Sequence, residues 1–503
     1  MTQAEPDRAP GSAAALRFLA AILLLAALAL APLYYGATRA LPLEIATVLL
    51  TAGGAAWALS RALTGRYALP PAAMRWGVAL VAVSALAWLF VLVPPAWPEF
   101  TRDHVARLAA RWPGSVMPRS FNVVLAWSGA LVLALFALHD LAREPRWRRA
   151  IAGTVVLAGA AVALLGLVQN ATRASGIYWD DSHRVPGAFF GTFFHHTSAG
   201  AYLNTVWPLG IALALTLIRL GAATSAQRTV IFGSLVCATL ALAAHTAHVS
   251  KLPQVLAALA FGTLALWAGL WRVLGEVRGL RIATGTVCAL AAAGVIYFGA
   301  ARLDTIAARW DDFKRTQFGP ERERVVTAPP PVEAWPRLMR DDLFIPSDHH
   351  GYPLGDRGAA YATALAAMGE RPWFGWGPGG WTAAAAAHSQ DPFIRTFYLL
   401  VQFTHQDSLQ TVVEWGLVGA AGWALLVPGA LLHGVARLGP RPSHDFIGAG
   451  AVVALGSVLA QSLIDFPLQI PAVQLNAVGL AALAWSVPSH SSASSVSNSF
   501  NHS

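Results

Sequence analysis

Residues 371–381 read RPWFGWGPGGW, and the segment lies between long hydrophobic runs. Four glycines, Gly375, Gly377, Gly379 and Gly380, alternate with aromatics and Pro378. Glycine admits positive φ and lets a backbone come close to a ligand. Proline and tryptophan stiffen and floor such a turn. A flexible linker would carry serine and other polar residues where this stretch has three tryptophans. The segment therefore reads as a shaped loop on the water-facing side of a membrane protein.

The rest of the chain supplies the membrane. Of 503 residues, 56% are hydrophobic and only 12% charged, about half the charged fraction of a soluble protein. Apolar runs long enough to cross a bilayer as helices fall near 15–33, 42–60, 76–93, 122–140, 150–169, 197–218, 229–246, 252–271, 282–300, 408–432, 446–464 and 468–487. The expected fold is all-α, a polytopic bundle of about twelve transmembrane helices. The first run has no small-residue cleavage site after it and reads as a retained helix. Residues 1–169 form N-terminal spans, 170–488 a core holding the long loop 301–407, and 489–503 a serine-rich tail expected to be disordered.

Charge orients the bundle. Arginines cluster at 61–75, 143–149, 219–228, 272–281 and 437–441. With twelve spans these loops share one side, which the positive-inside rule makes cytoplasmic. The loop 94–121 carries four arginines on the outer side and is long enough for a surface helix. The formal net charge of +9 suits anionic lipid head groups and anionic substrates. Nucleic acid is a poor partner, because no soluble basic domain exists. Cys237 and Cys288 both fall inside spans, and neither a structural disulfide nor a zinc spacing is expected.

Loop 301–407 places the 371–381 stretch on the outer face. It opens with RWDDFKRTQFGPERER, continues through the extended TAPPPVEAWP, and then carries a helix over GAAYATALAAMGERP, which Pro372 ends. A second outer segment, 170–196, carries Asp180, Asp181, His183 and Arg184 before an aromatic run.

The order of motifs resembles the O-antigen ligase and polymerase superfamily of bacterial envelope glycosyltransferases. Arg184-x-x-Gly187, followed by Phe-x-x-His-x-x-Ala-Gly-x-Tyr-Leu, is similar to the family segment that enters a span from the outer face. Arg357 stands where an arginine precedes the family's P-x-F-G-x-G-type turn. HQDSLQTVVEWGLVGA resembles the H-N-x-x-L-x-x-x-x-E-x-G-x-x-G signature, and SLIDFPLQIPA a frequent ending of the last spans. The chain departs from the pattern twice. Ser250-Lys251-Leu252 stands where the family shows Ser-Arg-Gly, and Gln406 follows the key histidine where Asn is expected.

The resemblance implies a multi-pass protein of the bacterial inner membrane that acts at the periplasmic face. It implies transfer of a glycan from an undecaprenyl-diphosphate carrier to a hydroxyl of an acceptor glycan, lipid A core or protein. Lipopolysaccharide ligation, polysaccharide polymerisation and protein glycosylation stay open. Such chemistry needs cations for the departing diphosphate, and arginine offers a permanently charged fork. Arg184 and Arg357 are the candidates, with Lys251 as a point charge. Deprotonating the acceptor calls for a base, and His405 is the candidate. Cationic side chains make an acidic metal site unnecessary, so no cofactor or metal is expected. Trp373, Gly375, Gly377 and Trp381 are candidate substrate contacts.

Each residue has a plainer reading. Arg184 reads also as a side chain snorkelling to lipid head groups. His405 reads also as an interfacial cap, and Asp407 as a helix cap no less than as the group that orients His405. Glu414 is the other carboxylate near that histidine. His195 and His196, like His245 and His248, lack a third metal ligand at suitable spacing. The tryptophans at 373, 376 and 381 suit sugar stacking and an interfacial belt alike. A transporter of lipid-linked sugars would place ionisable groups at mid-membrane, whereas the charged candidates here cluster at the outer face.

Overall fold

The computed structural model describes residues 11–65, 70–90, 118–180, 189–221, 224–247, 250–268, 356–389, 403–438 and 445–488. Arg184, the run 282–300, the loop 94–117, the charged and proline-rich parts of 301–355, Cys288, His248 and the serine-rich tail lie outside them.

The described residues form helices α1 (Gly11–Leu33), α2 (Ala40–Thr64), α3 (Ala72–Phe90), α4 (Pro118–Ala142), α5 (Pro145–Ala171), α6 (His196–Arg219), α7 (Ser225–Ala247) and α8 (Lys251–Ala268). They continue with α9 (Asp356–Glu370), α10 (Trp381–His388), α11 (Asp407–Leu426), α12 (Pro428–Leu438), α13 (Phe446–Ser462) and α14 (Pro471–Trp485). Seven spans are long and apolar enough to cross a membrane, with α11 and α12 counted as one. Helices α3, α8, α13 and α14 are apolar but shorter there. The all-helical class holds. The count of about twelve exceeds these seven, because four expected spans form shortened helices and one lies outside the described residues.

Helix α6 is the axis of the bundle and is buried along nearly its whole length. It packs on α5, α7, α8, α13 and α14. Small residues permit this: a Cβ on Gly159 would meet Val206 at 2.3 Å, and one on Gly450 would meet Ala212 at 2.5 Å. In a bilayer, close approach of helices of this kind replaces the hydrophobic drive. Polar groups inside the bundle find partners. Asn476 donates to Thr205 (2.9 Å), and Asn204 donates to the Pro253 carbonyl (3.0 Å), tying α14 and α8 to the axis.

The two ends of the bundle differ. At one end Arg17 and Arg61 both pair with Asp140, Arg17 also reaches Glu144, and Arg148 pairs with Asp445. The opposite end gathers the turn 34–39, residues 172–180 and 189–195, α9 and α10, and the connections 403–406 and 463–470. His405, Arg357, Trp373, Gly375, Gly377 and Trp381 belong to this second end.

Candidate active site

Loop 371–380 is held by an interruption in α11. Gly416 has φ 64° and ψ −178°, which no helix allows and which is close to glycine-only backbone. The bonds from Leu417 to Val413 and from Val418 to Glu414 that a helix would make are exchanged with the loop. Trp376 and Gly377 donate to the carbonyls of Val413 (2.7 Å) and Glu414 (2.9 Å). Leu417 and Val418 donate to those of Pro372 (2.8 Å) and Trp373 (3.1 Å). The backbones touch so closely that a Cβ on Gly375 would lie 2.5 Å from the Val413 oxygen. Gly377 (φ 92°) faces the ring of Trp88, whose Nε1 donates to the Phe374 carbonyl (2.6 Å).

The tryptophans of the loop divide. Trp376 and Trp381 are each 1% exposed and form a small core with alanines of α9 and α10. Trp376 also donates to the Ala367 carbonyl (3.0 Å) and lies under the Arg371 guanidinium. Trp373 is 64% exposed.

A chain of hydrogen bonds links this loop to His405. Gly379 N–H donates to Glu414 (3.0 Å), Gln410 donates to the other Glu414 oxygen (3.1 Å), and Thr404 N–H donates to Gln410 (3.1 Å). His405 follows with φ 60°, a strained conformation for a side-chain-bearing residue. Tyr361 donates to its carbonyl (3.3 Å), and Phe466 meets the ring edge-on at 5.0 Å. His405 Nδ1 is buried without a hydrogen-bond partner among the described residues.

Four separate parts of the chain converge here. Arg357 of α9 donates to the Ile464 carbonyl (3.1 Å), beside the buried Asp465 that follows α13. Burial pushes the His405 imidazole down to about 4; Arg357 and His195 add to the shift and Asp465 opposes it. His405 is therefore neutral at pH 7. His195, which caps α6, feels the same pair. Close protein surroundings lower its proton affinity, Asp465 opposes this and Arg357 reinforces it. His195 stacks on His196 at 4.7 Å.

Asp407 serves neither of the roles weighed for it. Its carboxylate accepts from Leu468 N–H (2.9 Å) and Gln469 Nε2 (3.1 Å), pinning the 463–470 connection to the start of α11. The Gln406 that replaces the expected asparagine donates to the Leu463 carbonyl (3.0 Å) of the same connection. Lys251 opens α8, and its side chain lies outside the described set. Sequence reading missed Tyr361 and Asp465, and gave His195 only a metal-ligand reading. The signal for Asp465 was its place within SLIDFP.

Beside this cluster a cavity of about 770 Å³ reaches between the 34–39 turn, α4, α6 and the 466–474 segment. His195, Glu414 and Gln410 border it, as do Trp381 and Phe466.

The described residues thus form an apolar helix bundle with a cationic, histidine-bearing cluster and a cavity at one end, as suits a multi-pass membrane protein. Residues 211–424 match the family model described as O-antigen ligase. That match supports membership of the O-antigen ligase superfamily, whose members are glycosyltransferase-like. The matched segment contains Lys251, Arg357, the 371–381 loop and His405; His195 and Asp465 lie outside it. The search of curated proteins found no match.

Proposed function

We propose that the protein transfers or polymerises glycan from an undecaprenyl-diphosphate carrier, without a metal, at the periplasmic face of the bacterial inner membrane. The observation that carries this reading is the placement of neutral His405 beside Arg357 at one end of the bundle. In this reading Arg357, with Arg184, offsets the charge that grows on the departing diphosphate. Such electrostatic stabilisation contributes about 3–4 kcal/mol per donor in a water-poor site. His405 takes the proton of the acceptor hydroxyl through its unpartnered nitrogen. Bound diphosphate neutralises the Arg357 charge that depresses His405, so the donor itself makes the base stronger.

The same placement disfavours a transporter of lipid-linked sugars, whose ionisable groups belong at mid-membrane. Ligation to lipid A core, polymerisation and protein glycosylation share the chemistry and differ in the acceptor. The test uses purified protein, lipid-diphosphate-linked glycan, and lipid A core, free glycan and peptide as competing acceptors in the presence of a chelator. Formation of a glycosylated acceptor with release of undecaprenyl diphosphate is expected. Movement of intact donor across a vesicle without bond cleavage would replace the enzyme reading with a transporter.

A further inference from the structure

Arg39 lines the cavity from its far wall, in the turn between α1 and α2. The turn is built at some cost. Tyr35, Gly36 and Ala37 all have φ between 55° and 61°, and left-handed backbone outside glycine persists only where its surroundings impose it. Phe193 packs on Gly36, and Tyr178 and Thr192 donate to the carbonyls of Leu33 and Pro32. The Arg39 guanidinium lies 4.1 Å from the Tyr35 ring centre and 5.4 Å from that of Phe194, and these two rings stack. No carboxylate pairs with it among the described residues. At the ion-paired end, by contrast, Arg17, Arg61 and Arg148 each hold an acid.

The cavity has the character of a saccharide pocket. Its volume lies within the ~300–1,000 Å³ range of small-molecule sites. Carboxamides of Gln410, Gln469 and Gln474 alternate with aromatic walls such as Trp127 and Trp381. An isoprenoid chain has no use for a cation. His195 and Phe466 border the cavity, and Phe466 meets the His405 ring edge-on at 5.0 Å, so the cavity lies one side chain away from His405. In a displacement at a sugar carbon the attacking hydroxyl and the departing phosphate lie on opposite sides. Arg357, which would hold the diphosphate, does not line the cavity, and the cavity is left for the acceptor.

We propose that this cavity binds the acceptor saccharide and that Arg39 selects acceptors bearing an acidic group, a phosphate or a carboxylate. The assignment of the cavity to the acceptor rests on the proposed function. The pairing of Arg39 with an anionic sugar does not.

The test has a binding arm and a transfer arm. Calorimetry in phosphatidylcholine nanodiscs compares a β-linked disaccharide carrying one phosphate monoester with the same disaccharide without it. The wild type should bind the phosphorylated form at least tenfold tighter. Arg39→Gln should abolish that difference while keeping the affinity for the neutral form, which also reports an intact fold. Arg39→Lys should keep part of the preference. In the transfer assay Arg39→Gln should raise KM for an acidic acceptor at least tenfold and leave the KM for the lipid donor unchanged. Equal wild-type affinities, or a preference that survives Arg39→Gln, would overturn the proposal. So would a rise in donor KM alone, which would assign Arg39 to the carrier, or displacement of the disaccharide by phosphatidylglycerol, which would assign it to lipid head groups. Discrimination through Arg39 in a protein that transfers no glycan would remove the proposed function and leave the anionic-sugar site standing.

Discussion

Gly416→Ala tests the joint on which the site end is built. At φ 64° and ψ −178° an added Cβ would lie 2.3 Å from the carbonyl carbon and oxygen of Trp373 and 2.4 Å from Phe374 N. Alanine escapes both problems if α11 straightens. The helix then regains two bonds, Leu417 to Val413 and Val418 to Glu414, and loses the four made with loop 371–377. A net loss of two hydrogen bonds costs about 2 kcal/mol. Releasing buried Trp376 from its core adds about 2–3 kcal/mol. Local opening should thus become easier by about 4 kcal/mol, roughly a thousandfold. Hydrogen–deuterium exchange in nanodiscs should show that loss at the amides of Trp376 and Gly377, while Leu417 and Val418 keep their protection through the regained helix bonds, and transfer should fall because Glu414 no longer holds Gly379. Gly262→Ala is the control. Its Cβ meets nothing within 4 Å in α8, and a helical alanine is worth up to about 1 kcal/mol over glycine. Unchanged protection at the Trp376 and Gly377 amides in Gly416→Ala would refute the exchanged-bond joint.

Four further outcomes are expected. Arg357→Ala should cost a factor of about 100–1,000 in kcat with normal expression, and Arg357→Lys should recover only part, because the fork is lost. Since only neutral imidazole accepts a proton, kcat/KM should be flat near neutrality and fall on acidification through about pH 4; Arg357→Gln should move that limb upward and Asp465→Asn downward. Asp407→Ala should lower thermal stability by about 1–3 kcal/mol, since Leu468 N–H is left unpaired, and leave the pH profile of the rate in place. A cysteine at position 328, in a background lacking Cys237 and Cys288, should react with an impermeant thiol reagent in intact spheroplasts; reaction only after the membrane is opened would reverse the topology.

The helices were legible because a bilayer demands long apolar runs, and α1 to α8 fall where such runs do. The helix over 356–370 was legible for a similar local reason, with Pro372 closing it. The break in α11 was not. VVEWGLVGA reads as continuous apolar helix, and only the approach of a segment some 40 residues earlier makes Gly416 turn. That approach also gives Gly375 a packing account, since its missing Cβ is what allows the contact. Asp407 misled for a related reason. Its position predicts a cap, but its partners, Leu468 and Gln469, come from the far side of α13. Arg39 drew no notice because a lone arginine between two spans carries no local signal; its place on a cavity wall exists only in the folded bundle.

The central claim is that His405 accepts the proton of an attacking hydroxyl while a diphosphate leaves. A single-turnover measurement with purified protein and undecaprenyl-diphosphate-linked glycan, comparing wild type with His405→Asn, tests it most directly. Asparagine tolerates the positive φ of this position and cannot act as a base. The account predicts normal donor binding, undecaprenyl diphosphate released one for one with glycosylated acceptor by the wild type in a chelator, and a rate lower by about 100–10,000-fold in the variant. A His405→Asn protein that turns over at the wild-type rate, or one that no longer binds the donor, would contradict it.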